Sequence, residues 1–267
     1  VPPEPDAVPP VIPVARPVVA PYARPAATIE SGFGACGSAW RALAELTVLL
    51  TVFIVTQIAA GVALFSLDPD TMPRWANVAA TLVAGTLMLA TVLLIVRWSG
   101  RPPASIGWRS DFLALDIGLG VGLLFVVLAF FYAVTVVLAI FSPESFDRMR
   151  DTQRNIEAAF PRMTPPWILA INACVAVYEE FVFRGFLLTR LRRLVRWWPA
   201  AIVMGAAMFS VLHLYQGGMA VVMIFLLGLF LGGVFAWRRS LVPVIVLHFL
   251  FNSWQMLMLY LVSPEWT

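Results

Sequence analysis

The chain has 267 residues, of which 61% are hydrophobic and only 12% charged, well short of the roughly 25% charged residues of an ordinary soluble domain. Its net charge of +3 is too small and too scattered to argue for a nucleic-acid partner. Two cysteines, Cys36 and Cys174, are too few for a disulfide framework or a cysteine zinc cluster, and neither is assigned a role; the fold class left is all-α, a polytopic membrane helix bundle with the lipid bilayer as its surroundings.

The amino-terminal segment, residues 1–38, is set apart by proline: nine of the chain's twenty prolines fall in the first 28 positions. Such a stretch favours extended, solvated polyproline-like conformations and cannot pack a core, so it is expected to be a disordered tail preceding an integral membrane domain at 39–267. About 20 apolar residues at 1.5 Å each cover the roughly 30 Å hydrocarbon core, and seven stretches meet that length. They run at about 40–67, 75–96, 112–141, 167–189, 198–216, 219–237 and 241–262. Near the start of the first, Glu45 lies one turn after Arg41 and is read as half of an interfacial ion pair. In the third, Asp116 is expected to be interfacial, while Gly118, Gly120 and Gly122 would allow close helix approach, as would Gly228 and Gly232 in the sixth. The polar exception, 142–165, balances four acids against four arginines and repeats Phe146, Met149, Ile156 and Phe160 at helical spacing. It reads as an amphipathic helix on the membrane surface.

Alternate loops of a seven-span chain share a side. The amino-terminal region and the loops after spans two, four and six hold Arg16, Arg24, Arg41, Arg97, Arg101, Arg109, Arg190, Arg192, Arg193, Arg196, Arg238 and Arg239. On the other side are Arg74 and four arginines of the 142–165 segment that acids balance. The asymmetry puts the amino terminus in the cytoplasm. All 18 basic residues are arginine, a usage that suggests a GC-rich genome and points to a bacterial plasma membrane.

Charges inside the spans are the informative exception, because a carboxylate or guanidinium costs roughly 2.5–3.5 kcal/mol at the bilayer centre on insertion scales and defaults to function. The fourth span carries three within six positions, Glu179, Glu180 and Arg184. On a helix Glu180 and Arg184 are one turn apart and can pair, whereas Glu179 points about 100° away and is left available. The chain's only two histidines fall in the later spans: His213 four residues after Phe209, and His248 four residues before Asn252 on one helix face. Counted by helix rise from the cytoplasmic ends, Glu179 lies about 15 Å deep, His248 about 10 Å and His213 about 20 Å. The three can meet near mid-membrane.

Glu179-Glu180-x-x-x-Arg184, Phe209-x-x-x-His213 and His248-x-x-x-Asn252, in this order on successive hydrophobic segments, resemble the three motifs of the CPBP intramembrane protease family. That family, also called Abi, includes the eukaryotic CAAX prenyl proteases and bacteriocin-processing or immunity proteins. The resemblance covers about residues 166–262 and implies a peptidase in which Glu179, His213 and His248 are catalytic and Asn252 assists. Glu180, Arg184 and Phe209 are read as supporting residues. A water activated by Glu179 would attack a peptide carbonyl, donors from His248 and Asn252 would hold the oxyanion, and His213 would orient the water or protonate the leaving amine. Zinc is the open alternative, with Glu179, His213 and His248 as its three ligands; a metal-free route uses the same residues. The expected partner is a membrane-associated protein or hydrophobic peptide substrate. The rival reading is a non-proteolytic bacteriocin-immunity-type membrane protein or a small transporter using Glu179 as a proton carrier.

Overall fold

The computed structural model describes residues 39–65, 75–159 and 161–262, and the regular elements among them are all helical. The tail expected at 1–38 lies outside the described residues. In chain order the helices are α1 (Ala39–Phe65), α2 (Trp75–Trp98), α3 (Leu113–Phe141), α4 (Pro143–Ala159), α5 (Pro165–Val195), α6 (Trp198–Val211), α7 (Gly218–Arg238) and α8 (Val242–Val262). Proline sets several of the starts: Pro143 opens α4, Pro165 and Pro166 open α5, and Pro199 and Pro243 are second residues of α6 and α8. At these positions the missing N–H is not needed by the helix and the fixed φ is already helical.

Six helices, α1, α2, α3, α5, α7 and α8, are long and apolar enough to cross a membrane. The expected fifth span is shorter than its hydropathy suggests. α6 has 14 residues, about 21 Å at 1.5 Å per residue, and the chain then turns through a short 3₁₀ segment, Leu214–Gln216, instead of continuing as helix.

Ion pairs and hydrogen bonds sort the helix ends into two groups. At one end, Glu45 near the start of α1 meets Arg101 after α2 (2.5 Å) and Arg190 near the end of α5 (3.0 Å). Asp116 at the start of α3 pairs with Arg238 at the end of α7, and the Leu241 N–H donates to the Gly107 carbonyl at 2.9 Å. At the other end, Asn155 of α4 donates to the Gln216 carbonyl at 3.2 Å, and Ile156 packs on Ile168 of α5 and Leu259 of α8. This is the alternation that the arginine distribution calls for.

Glu45 and Asp116 have partners that the sequence reading did not give them. Arg41 does pair with Glu45 at 3.2 Å, but Glu45 is buried and is shared with Arg101 and Arg190, and Asp116 is buried against Arg238. Their partners lie 56, 145 and 122 residues away, beyond any local pattern. Of the three glycines in α3, only Gly120 makes a close approach: a Cβ there would stand 2.8 Å from the Pro243 carbonyl oxygen, whereas Gly118 and Gly122 face open space. Gly228 and Gly232 of α7 do form a contact face. A Cβ on Gly228 would stand 3.1 Å from the Ala206 Cβ, and one on Gly232 would stand 3.0 Å from Ile202 Cγ2, so α6 and α7 pack backbone to side chain.

The core lies where α5, α7 and α8 converge, with Phe186, Leu231, Phe235, Leu241 and Leu247 fully enclosed. The outward faces stay apolar, as lipid contact requires; Phe125, Tyr132 and Ile140 of α3 are examples. α4 is amphipathic as expected, with Phe146, Met149 and Ile156 half-buried and the Arg148–Glu144 and Arg154–Asp151 pairs exposed. The α6–α7 contact makes a stability prediction. Gly232→Leu pushes a side chain into Ile202 and should destabilise the folded protein by about 1–3 kcal/mol through overpacking. Thermal melting of the detergent-solubilised protein checks this; an unchanged melting temperature would show that α6 does not seat on that face.

Candidate active site

α5 has an unusual interior. It is α-helical to Glu180 and continues as a π-helix over Phe181–Leu188 before returning to α geometry at Thr189. π turns, with hydrogen bonds from i to i+5, are rare and concentrate at functional sites. Every residue of this π segment except Phe183 is buried, so the helix here is enclosed on all sides. Gly185 permits part of that enclosure: a Cβ there would stand 3.0 Å from the Ile106 carbonyl oxygen. Within this segment the pair read from the sequence forms, with Arg184 Nη1 donating to Glu180 Oε1 at 2.9 Å; both side chains are almost wholly buried.

α8 brings a second partner to the same oxygen. His248 Nδ1 lies 2.7 Å from Glu180 Oε1, in line to donate to it. A carboxylate oxygen held against a guanidinium is an acceptor, so the hydrogen of the neutral imidazole belongs on Nδ1 and the lone pair on Nε2. That Nε2 stands 3.6 Å from Glu179 Oε2, and one water about 2.8 Å from each would span the two atoms. His248 therefore lies between the adjacent carboxylates, hydrogen-bonded to Glu180 and facing Glu179.

Glu179 is less free than helix geometry alone implies. Its Oε1 accepts a hydrogen bond from the Tyr178 hydroxyl at 3.3 Å, while Oε2 faces His248. The Tyr178 ring lies flat against α2 at Gly85, where a Cβ would stand only 2.4 Å from two ring carbons. Any side chain at position 85 displaces Tyr178 and with it the hydrogen bond to Glu179. Neither residue was singled out from the sequence. A tyrosine beside a catalytic-looking glutamate has no periodic signature, and the glycine that seats it is 93 residues earlier in the sequence.

Phe209 on α6 ties the second motif to this group. Its ring lies beneath the Arg184 guanidinium (4.5 Å to the ring centre) and touches Phe183, His213 and His248 edge-on, with ring centres 4.9, 4.9 and 6.2 Å away. Because α6 ends at Val211, the Phe209 carbonyl accepts from His213 Nδ1 at 2.9 Å. A carbonyl only accepts, so His213 also carries its hydrogen on Nδ1 and presents a lone pair at Nε2.

Asn252 is half-buried one turn after His248 on α8, in register with it but outside the hydrogen-bonded group around Glu180. Two atoms of that group, Glu180 Oε2 and Arg184 Nη2, are buried without a protein partner. The cluster thus has hydrogen-bonding capacity beyond what the protein fills, as a site that receives water or a polar substrate requires. A metal fits less well. Among the described residues no three His, Cys, Asp or Glu side chains converge as a ligand set. Glu179 and His248 come together, and the Phe209 ring lies against both imidazoles. The Glu179, His213 and His248 set considered from sequence is not brought together as a ligand set among the described residues.

A bundle of long apolar helices with two glutamates, an arginine and a histidine enclosed at its centre defines a polytopic membrane protein with a buried polar site. Residues 161–254 match the family model described as Rce1-like, type II CAAX prenyl endopeptidase Rce1-like. The match covers roughly a third of the chain, from the residues before α5 into α8, and includes every residue of the three motifs. At family level it supports a CAAX-protease-like intramembrane endopeptidase, in accord with the CPBP resemblance of the motifs. No curated protein matches the chain, and no solved structure does.

Removing Arg184 would leave Glu180 with a single partner in a fully enclosed position. Arg184→Ala is expected to destabilise the protein by about 3–5 kcal/mol, the usual cost of stranding one member of a buried pair. Chemical unfolding in detergent measures it. A variant as stable as wild type would show that the pair does not hold the site together.

Proposed function

We propose that the chain is an intramembrane endopeptidase with its protease core at about 166–262, and that it hydrolyses a peptide bond of a membrane-associated protein or hydrophobic peptide with a water activated by Glu179. The observation that carries this reading is the placement of His248 between the two glutamates: Glu180 fixes one ring nitrogen, and the other lies 3.6 Å from Glu179 Oε2. In this reading the bundle end bearing Arg101, Arg190 and Arg238 faces the cytoplasm, by the excess of arginine on that side.

The chemistry balances without a covalent intermediate. Glu179 Oε2 takes a proton from the water as its oxygen attacks the peptide carbonyl, forming a tetrahedral centre whose oxyanion the Asn252 amide is in register to receive. Glu179 then returns the proton to the leaving nitrogen as the C–N bond breaks, giving a carboxyl product and an amine. The Nε2 lone pair of His248 accepts the water's second hydrogen and sets its direction, while the Nε2 lone pair of His213 is left to accept from the N–H of the scissile peptide. Glu180 and Arg184 act by holding His248, and Tyr178 by fixing the Glu179 carboxylate so that Oε2 points at the reacting water.

Since the substrate is unknown, the test compares membrane peptides from cells carrying wild-type protein with those from cells carrying Glu179→Gln or His248→Ala. Loss of a general base costs about 100- to 10,000-fold, so at least one intact species should accumulate in both variants. If none differs, while wild type and Glu179→Gln protect cells equally against an added bacteriocin, the immunity reading replaces the protease. For a substrate found this way, Tyr178→Phe should lower turnover about tenfold or less while cleavage persists, and turnover by the purified protein should survive a strong chelator. Activity that is lost with the chelator and restored by zinc would contradict the metal-free route.

A further inference from the structure

A second charged cluster lies away from this site, where α1, the segment after α2 and the end of α5 meet. Both Glu45 oxygens are occupied: Oε1 by Arg41 and Arg101 Nη2, Oε2 by Arg101 Nη1 and Arg190. Around them is a small cavity lined by Ala42, Glu45, Arg101, Ser105, Thr189, Arg190 and Arg193, with room for about one water-sized oxygen. Counting Arg41, four guanidinium groups surround a single carboxylate. The side chains of Arg101 and Arg190 are 6% and 3% exposed, so the excess positive charge is not simply dissolved in water.

The unpartnered atoms show what the cavity lacks. Arg101 Nε, Ser105 Oγ, Arg190 Nη2 and Arg193 Nη1 are buried without a protein partner, and all four can donate a hydrogen bond. Buried donors beside uncompensated positive charge favour an acceptor that is itself negative. The depth of the cavity indicates where such a group would come from. At the same end of the bundle Trp40, Trp98, Trp108, Trp197 and Trp237 are half or more exposed, and exposed tryptophans gather at the headgroup level of a bilayer. One oxygen of a phosphate is close to water in size. It can enter the cavity while the remaining oxygens stay at the mouth, beside the half-exposed Arg193.

We infer that this cavity is an anion site that takes a phosphate oxygen, at headgroup depth, on Arg101, Arg190, Arg193 and Ser105. Arginine suits the role because its planar fork can bind Glu45 along one edge and phosphate along the other. The site is separate from the proposed protease centre and stands whether or not that centre cleaves peptides. Arg193 is the residue to change, because it lines the cavity without holding Glu45.

The test is the melting temperature of the full chain in a neutral detergent, titrated separately with short-chain phosphatidylglycerol, short-chain phosphatidylcholine and inorganic phosphate. Phosphatidylglycerol should raise it saturably, and Arg193→Gln should weaken the midpoint about tenfold or more, while Arg150→Gln on the exposed face of α4 leaves it unchanged. An equal, Arg193-dependent rise with inorganic phosphate supports the same site with free phosphate as its source. Ser105→Ala, which removes one donor and no charge, should weaken the midpoint a fewfold. The inference is overturned if neither phosphatidylglycerol nor phosphate shifts the melting temperature. It is equally overturned if Arg193→Gln and Ser105→Ala both respond as wild type does, or if phosphatidylcholine acts as strongly as phosphatidylglycerol.

Discussion

Glu180 is the constraint on which the rest of the site depends. A carboxylate with no exposed surface, inside a bundle meant for hydrocarbon, persists only if it is paired and hydrogen-bonded. Its Oε1 meets both demands through Arg184, one helical turn along its own helix, and His248 on α8. The second of these contacts joins α5 to α8 and fixes which nitrogen of His248 is free. Once that nitrogen is fixed, the neighbouring residue along the chain, Glu179, faces it at 3.6 Å. Two adjacent glutamates thereby take different parts, one structural and one facing the space where chemistry would occur.

The same demand shapes the surrounding helices. α6 stops after 14 residues and its last turn opens at His213. Non-helical backbone at membrane depth is tolerated only where protein or a water-lined cavity receives its polar groups. Here the Phe209 carbonyl freed by the helix end accepts from the His213 imidazole, so the break is used to orient a side chain. The Phe209 ring meanwhile covers the Arg184 guanidinium and lies against both histidines. One residue thus serves the site through its carbonyl and its ring, which explains why a phenylalanine occupies the first position of the motif.

Much of this was legible in the sequence because it is local. The Glu180–Arg184 spacing, the apolar lengths of six helices and the amphipathic face of α4 are statements about residues within a few turns of each other. The ordered motifs also fall in α5 to α8, the stretch that the family model matches. What the sequence could not show depends on distant partners. Glu45 reads as one half of an i, i+4 pair until Arg101 and Arg190 arrive from other helices, and no local pattern joins His248 to Glu180, 68 residues earlier. The π-helix after Glu180 and the Gly85 seat for Tyr178 have no spacing signal at all. The short α6 was missed for a different reason: apolar residues continue past Val211 into the turn, so hydropathy overstates the helix.

The claim at the centre of this account is that Glu180 holds His248 with its hydrogen on Nδ1 and its lone pair on Nε2 toward Glu179. The chain has only two histidines, so nitrogen NMR of the protein labelled at histidine resolves both rings, with His213→Ala assigning them. The neutral His248 ring should be protonated at Nδ1, and Glu180→Gln should change the His248 signals while leaving those of His213 in place. A neutral His248 protonated at Nε2, or one indifferent to the loss of the Glu180 charge, would contradict it.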